Sequence, residues 1–265
     1  MNLTSIRPSG YVLAFVLVLY FPSSSGEESD WHYGIGTGPQ RLNVEGDQGF
    51  NFNPVGPVEF ETDLDNDDIE DLAESAIGLG GFATNGTWTI EAAAGSIELG
   101  GDASVNVDPG TTISGEGFQD ITVAEFSVGY TLQLDLPVAL TPYAGLRYIE
   151  HDIGYEAQLT TPTGTSAIKN NRSTKWTDAR LGLALDVPLS EKWIWGTKVE
   201  ANFGDSDGTY QFNTGFTWLI TQHWAARVFF NYMSIDFEEN DPGDRDWYLY
   251  DAEEYGAGFN ILYLW

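Results

Sequence analysis

The sequence contains three histidines, and only His151 has carboxylates directly beside it, namely Glu150 and Asp152. An imidazole next to a carboxylate can act as a general base. His32 is expected at the start of a first strand and His223 in a short turn, where surface roles are simplest. We predict no catalytic residue and no enzymatic activity, and we keep hydrolysis at His151 as an alternative.

The second group of residues that could do chemistry is the acidic segment 61–74, which contains no basic residue. Its acids follow the spacing of a calcium-binding loop, but Asp68 stands where that loop requires glycine. The segment fits a short helix in a long loop better, with Asp65 or Asn66 as the N-cap and acids in the first turn. We therefore predict a helix and add a weak divalent-cation site, although no firm metal site, at these acids: Asp63, Asp65, Asp67, Asp71 and Glu74.

The composition restricts the classes of function. The 265 residues include 40 Asp and Glu against 11 Lys and Arg, with a net charge of −29 and no cysteine. Such a chain repels phosphate groups, which excludes nucleic-acid binding. The absence of cysteine excludes disulfides and thiol chemistry. No cofactor is predicted.

The first 25 residues have the pattern of an export signal. Arg7 precedes an apolar run at 11–21, and small polar residues follow at 23–26. The run is shorter than a typical membrane-spanning helix. We predict a signal peptide at 1–25 and a single domain at 26–265.

The rest of the chain alternates with period two, which is typical of β-strands. In 121–134 one face carries Phe126, Val128 and Tyr130, and the other is small or polar; 176–187 and 193–204 repeat this division. Alternation alone fits a secreted sandwich or a membrane barrel. Tryptophan and tyrosine at the strand ends, and a last strand that closes on Trp265, favour a barrel in the bacterial outer membrane.

The predicted fold class is therefore all-β, a transmembrane antiparallel up-and-down barrel of ten strands, or eight if the first two fail. Short turns at 85–86, 135–141, 189–192 and 220–223 alternate with longer polar loops, as in outer-membrane barrels. The predicted strands are 31–45, 75–85, 87–101, 120–135, 141–158, 176–188, 193–204, 209–220, 224–237 and 250–265.

Several segments resemble the opacity-type or OmpA-like family of small outer-membrane barrels. They are the acidic 65–73 followed by the glycine-rich 76–84, the segment 143–148, Trp176 with Asp178, and the closing 255–259. The resemblance implies an outer-membrane location and no catalytic set. We expect a monomer that contacts outer-membrane lipid. We also expect the barrel-assembly machinery to recognise the last strand, which ends in Trp265.

The predicted lumen carries charges of both signs. On the alternation above, ten charged side chains point inward: Glu91, Glu125, Arg147, Asp178, Arg180, Asp186, Lys198, Glu200, Arg227 and Glu254. Charges in a narrow interior are expected to pair, because unpaired ones are costly. We predict a lumen filled by side chains and a structural or surface-interaction role. A narrow pore for small solutes or cations stays open as an alternative.

Overall fold

The computed structural model describes residues 31–52, 56–108 and 111–265. The predicted signal peptide at 1–25 lies outside these residues. The described elements are β1 (His32–Thr37), β2 (Asn43–Phe52), β3 (Gly56–Leu64), α1 (Asn66–Leu72), β4 (Ala73–Thr84), β5 (Trp88–Asp108), β6 (Thr111–Tyr130), β7 (Ala139–Thr161), β8 (Gly164–Pro188), β9 (Trp193–Gly204), β10 (Gly208–Leu219), β11 (Trp224–Glu239) and β12 (Tyr248–Leu264).

The described strands form one antiparallel sheet that closes on itself. β4 to β12 pair in sequence order, and β1 pairs with both β4 and β12, which makes a closed ring of ten strands. β2 and β3 form an additional hairpin, because β2 pairs with the outer part of β12. The predicted up-and-down barrel of ten strands is therefore confirmed. No helix among the described residues is long and apolar enough to cross a membrane.

β1 and β2 behave as one strand with an interruption at 38–42. Both keep the same register against β12, from Gly34 opposite Leu264, through Gln40 opposite Gly258, to Asn43 opposite Tyr255. The ladder between β1 and β4, in contrast, ends at Gly36 and Gly80. Between the end of β2 and the start of β4, the chain passes through β3 and α1 at the outer end of the barrel.

The predicted first strand, 31–45, and the predicted first loop are therefore corrected. Glu61 and Asp63 lie on β3 and not in a loop. The predicted helix is present as α1, which Asp65 caps by accepting hydrogen bonds from the main-chain N–H groups of Asp67 and Asp68 at 2.8 and 3.0 Å. Ile69 of this helix is buried in the outer part of the lumen.

β5 to β8 are longer than predicted and extend well beyond the lipid-facing band. β7 and β8 contain 23 and 25 residues and stay paired from Ala139–Asp186 to Thr161–Gly164. The strands were predicted from their outward apolar residues, and this apolar face ends near the tyrosines of the outer girdle. The predicted strands therefore stop near the girdle, whereas the observed strands continue beyond it. The girdle residues are Tyr148, Tyr210, Tyr232 and Tyr255, and the inner girdle comprises Trp88, Tyr130, Trp193, Trp218, Trp224 and Tyr263.

The apolar face changes sides at the outer girdle. On β11, Val228 and Phe230 are exposed on the outside below the girdle, whereas Ile235 and Phe237 are buried inside above it. Asp236 then lies on the outer surface. Below the girdle the strands must present apolar side chains to lipid, and above it they must turn them away from water.

The lumen is consequently divided into three zones. Phe82, Ala225, Leu262 and Leu264 form an apolar cluster at the inner end. Charged side chains occupy the middle. The outer zone holds the largest buried apolar cluster of the described residues, to which Ile149, Trp176 and Ile235 belong.

Candidate functional site

Four side chains from adjacent strands form a closed ring of ion pairs across the middle of the lumen, here named the charged layer. Arg147 binds Glu125 at 2.7 Å and Glu200 at 2.9 Å, and Arg180 binds the same two carboxylates at 3.0 and 2.7 Å. Each carboxylate therefore forms an ion pair with both guanidinium groups. All four residues stand at inward positions of β6, β7, β8 and β9, and Arg147 is only 1% exposed.

The charged layer is tied to further polar groups. Tyr143 donates its hydroxyl to Glu200 at 2.8 Å, and Arg147 also contacts Gln211 and the sulfur of Met233. These contacts satisfy polar atoms that burial would otherwise penalise. The layer is thus fixed on several sides rather than held by two isolated pairs.

Four predicted lumen residues lie nearer the inner end. Lys198 binds Glu91 at 2.6 Å, and Arg227 donates to Asn213 at 2.7 Å. Asp186 is 4% exposed, and its carboxylate lies over Gly196, where a Cβ would be 2.6 Å from its oxygen. The inner lumen is therefore occupied by side chains as well.

Two predicted lumen residues have other roles. Asp178 accepts hydrogen bonds from the main-chain N–H and the hydroxyl of Ser206, at 3.0 and 2.8 Å, and thereby holds the turn between β9 and β10. Glu254 accepts from the hydroxyl of Tyr250 at 2.7 Å. The structure therefore brings four of the ten residues into one ring and distributes the others above and below it.

An apolar cavity of about 140 Å³, here named the outer cavity, lies on the outer side of the charged layer. Glu125, Arg147 and Glu254 form its charged floor. Its walls are mainly aliphatic and come from β2, α1, β5, β6, β7 and β11: Val44, Ile69, Ile97, Leu99, Ile121, Val123, Ile149 and Ile235. The sequence interpretation missed this cavity, although the change of the apolar face beyond Tyr148 and Tyr232 could have revealed it.

His151 belongs to an aromatic layer beside this cavity. Its ring lies 4.9 Å from Trp176 and 4.8 Å from Tyr250, and its Nδ1 is 2.8 Å from the hydroxyl of Tyr248. Trp176 stacks in turn on Phe237 at 4.2 Å. His151 lies on the outer side of the girdle, and burial lowers its pKa to about 3.

The environment of His151 differs from the one that the hydrolase alternative needs. Glu150, its neighbour in sequence, points to the other face of β7, where it binds Tyr148 and Lys175 at 2.7 and 3.0 Å. Asp152 is on that outer face as well. His223 contacts the carbonyl of Leu264 at 3.0 Å in an inner turn, and His32 is exposed at the start of β1.

A catalytic motif that the sequence interpretation overlooked is Gly-x-Ser-x-Gly at 204–208. In hydrolases this motif forms a sharp turn from a strand into a helix, with the serine hydroxyl exposed. Here the motif connects β9 and β10, and Ser206 is 7% exposed with its hydroxyl directed to Asp178. The motif therefore serves as a strand connection.

The five acids of the predicted cation site are spread over three elements. Asp63 lies on β3, Asp65, Asp67 and Asp71 cap or belong to α1, and Glu74 lies on β4. The carboxylate of Asp65 caps α1 by accepting from the main-chain N–H groups of Asp67 and Asp68. Within the described ranges no group of three or more His, Asp or Glu side chains is arranged to hold a metal ion.

The closed ring, the two aromatic girdles and the outward apolar band define an outer-membrane type of β-barrel, and one solved outer-membrane protein supports this fold. The outer-membrane protease OmpT from Escherichia coli aligns with a TM-score of 0.58 at 9% identity, over 91% of this chain and 99% of that one. The translocator domain of the autotransporter NalP from Neisseria meningitidis aligns with a TM-score of 0.45 at 12% identity, over 88% of each chain. No protein-family model and no curated protein sequence matches the chain. The likeness to OmpT shows the fold alone and leaves the activity open.

Proposed function

We propose that this chain is a monomeric protein of the bacterial outer membrane, with a closed lumen and a structural or surface-interaction role. The observation that carries the proposal is the charged layer, whose four side chains bind one another inside the lumen at 2.7 to 3.0 Å and from which Arg147 extends to Met233 on β11. A barrel of about eight to ten strands is narrow enough to be filled by side chains, whereas aqueous channels need about sixteen.

The outward surfaces agree with this location. Between the girdles the barrel exposes apolar side chains such as Leu181, Val199 and Phe216. Beyond the outer girdle it exposes acids, among them Asp236 and Asp251. The apolar band supports contact with lipid inside the membrane. The acidic outer surface, together with the resemblance to opacity-type barrels, supports contact with the surroundings outside it.

The first experiment locates the protein and measures ion flow through it. We expect the protein in the outer-membrane fraction, with a compact band in detergent gels that shifts on boiling. In planar bilayers we expect no steady current, while a general porin under the same conditions gives one.

Three results would contradict the proposal. A soluble protein without a heat-modifiable band would remove the membrane barrel. A steady current would instead favour the narrow pore, and a changed ion selectivity in Arg147→Ala or Glu125→Ala would place its constriction at the charged layer. Turnover of a lipid or peptide that disappears in His151→Ala would favour the hydrolase alternative.

A further inference from the structure

The outer cavity differs from the rest of the lumen in its chemistry. Its walls are mainly aliphatic, while Glu125 and Arg147 of the charged layer lie at its floor. Its volume of about 140 Å³ is close to that of an engineered apolar cavity, about 150 Å³, which binds benzene. A space of this size accommodates a single six-membered ring.

The polar groups around the cavity restrict the charge of an occupant. Glu125 and Arg147 are bound to each other, and Glu254 accepts from Tyr250. An anion would lose its hydration without finding an unpaired cation there, and a cation would find a single carboxylate, Glu254, among walls that are mainly aliphatic. The occupant should therefore be neutral.

One lining residue indicates a polar group on the occupant. The side-chain nitrogen of Gln119 is buried, and no described protein atom accepts a hydrogen bond from it. Gln119 lines the outer cavity on β6, beyond the aliphatic Ile121 and Val123. A buried amide donor without an acceptor costs free energy that an oxygen atom on a ligand can recover.

We propose that the outer cavity is a binding site for one small neutral molecule of the phenol type, with an aromatic ring between the aliphatic walls and an oxygen atom at Gln119. The assignment goes beyond the closed-barrel role and does not depend on it. A conducting barrel would overturn the proposed function and leave this site in place. Conversely, loss of this site would leave the closed lumen unchanged.

The test uses 4-fluorophenol and fluorobenzene as probes. Fluorine NMR measures their binding to the folded protein in detergent micelles. Partition of a probe into micelles does not saturate, whereas binding to one site does. We expect a saturable bound signal with one probe molecule per barrel. A wild-type protein without a saturable signal for either probe would overturn the site.

A matched pair of variants separates the cavity from the lipid-facing surface. Val123→Phe places a ring in the outer cavity, whereas Val128→Phe makes the same change on the outward face of β6. We expect binding about tenfold weaker or worse in Val123→Phe, because the added ring takes the occupant's space, and unchanged binding in Val128→Phe. Equal affinities in both variants would overturn the assignment. Ile97→Phe, from β5, repeats the test if Val123→Phe lacks the compact band.

A third variant tests the polar group. Gln119→Leu should weaken the binding of 4-fluorophenol by about 3- to 10-fold, which is the contribution of one hydrogen bond. It should leave the binding of fluorobenzene nearly unchanged. If both probes weaken equally, Gln119 does not recognise the oxygen.

Discussion

Among single residues, Glu200 connects three members of the lumen network. It accepts from Arg147, Arg180 and Tyr143, and its side chain is 3% exposed. Glu200→Ala would leave two buried guanidinium groups with one carboxylate between them. We expect a loss of about 3 to 5 kcal/mol in the free energy of unfolding, as for other buried pairs that lose one partner. Urea unfolding in lipid vesicles measures it.

The matched control is Glu156→Ala, which removes the partner of Lys169 on the outer hairpin. Both side chains of that pair are about two-thirds exposed, at 65% and 64%. Exposed pairs contribute about 0 to 1 kcal/mol, so this variant should unfold at nearly the wild-type urea concentration. Equal losses in the two variants would show that the charged layer is not a special source of stability.

His151 gives a pH-dependent prediction. Its pKa is about 3 in the folded protein and about 6.5 when unfolded, so the unfolded chain binds the proton more readily. The stability that neutral His151 provides is present above pH 6.5 and is lost as the pH falls toward 3. When the pH is lowered from 7.5 to 4.5, we expect the free energy of unfolding of His151→Gln to fall by about 2 to 3 kcal/mol less than that of the wild type. Parallel losses in the two proteins, measured by urea unfolding, would contradict this assignment.

At the scale of elements, α1 depends on its N-cap. The carboxylate of Asp65 accepts from two main-chain N–H groups, and the main-chain N–H of Asp65 donates to the carboxylate of Asp68 at 3.2 Å. Asp65→Ala should destabilise the helix by about 1 kcal/mol. Hydrogen exchange of residues 66–72 should speed up accordingly. Asp67→Ala, an exposed change in the same turn, should have little effect; equal effects would mean that the capping bonds do not stabilise α1.

The strands show how far an element can be predicted from its pattern. Between the girdles, period-two alternation gave the positions of β9, β10 and β11 within a few residues, because lipid demands an apolar side chain at every second position. β3 and the part of β2 beyond residue 45 were missed, because the hairpin lies outside the lipid-facing band. Their pairing depends on β12, which is about 200 residues away in sequence.

At the scale of the whole molecule, the barrel closes where its two ends meet. Tyr33 and Trp265 exchange main-chain hydrogen bonds at 2.9 and 3.1 Å, and their rings stack at 5.8 Å. Trp265→Ala keeps the main-chain bonds. We therefore expect it to refold in detergent micelles as the wild type does.

In cells the same variant should assemble several-fold less, because we propose that the assembly machinery recognises the aromatic end of β12. Trp193→Ala is the control, since Trp193 is also stacked on an aromatic ring of the inner girdle, that of Trp218 at 6.0 Å. Immunoblots of heat-modifiable protein in outer membranes measure assembly. Equal levels of the two variants would contradict recognition through Trp265.

The sequence by itself determined the barrel class and the inward side of the charged residues. Both follow from local alternation, since neighbouring residues on a strand point to opposite faces. The helix at Asp65 was local information too, because an N-cap acts on the next three residues.

Only the tertiary structure decided which charges meet. Arg147 and Glu200 are far apart in sequence and lie on β7 and β9, so their contact at 2.9 Å depends on the register of both strands against β8. The outer cavity depends in addition on closure of the barrel, because Ile69, Val123 and Ile235 enclose a common space only after β12 has joined β1. Pairing across a lumen is a property of the closed sheet, and no single strand contains it.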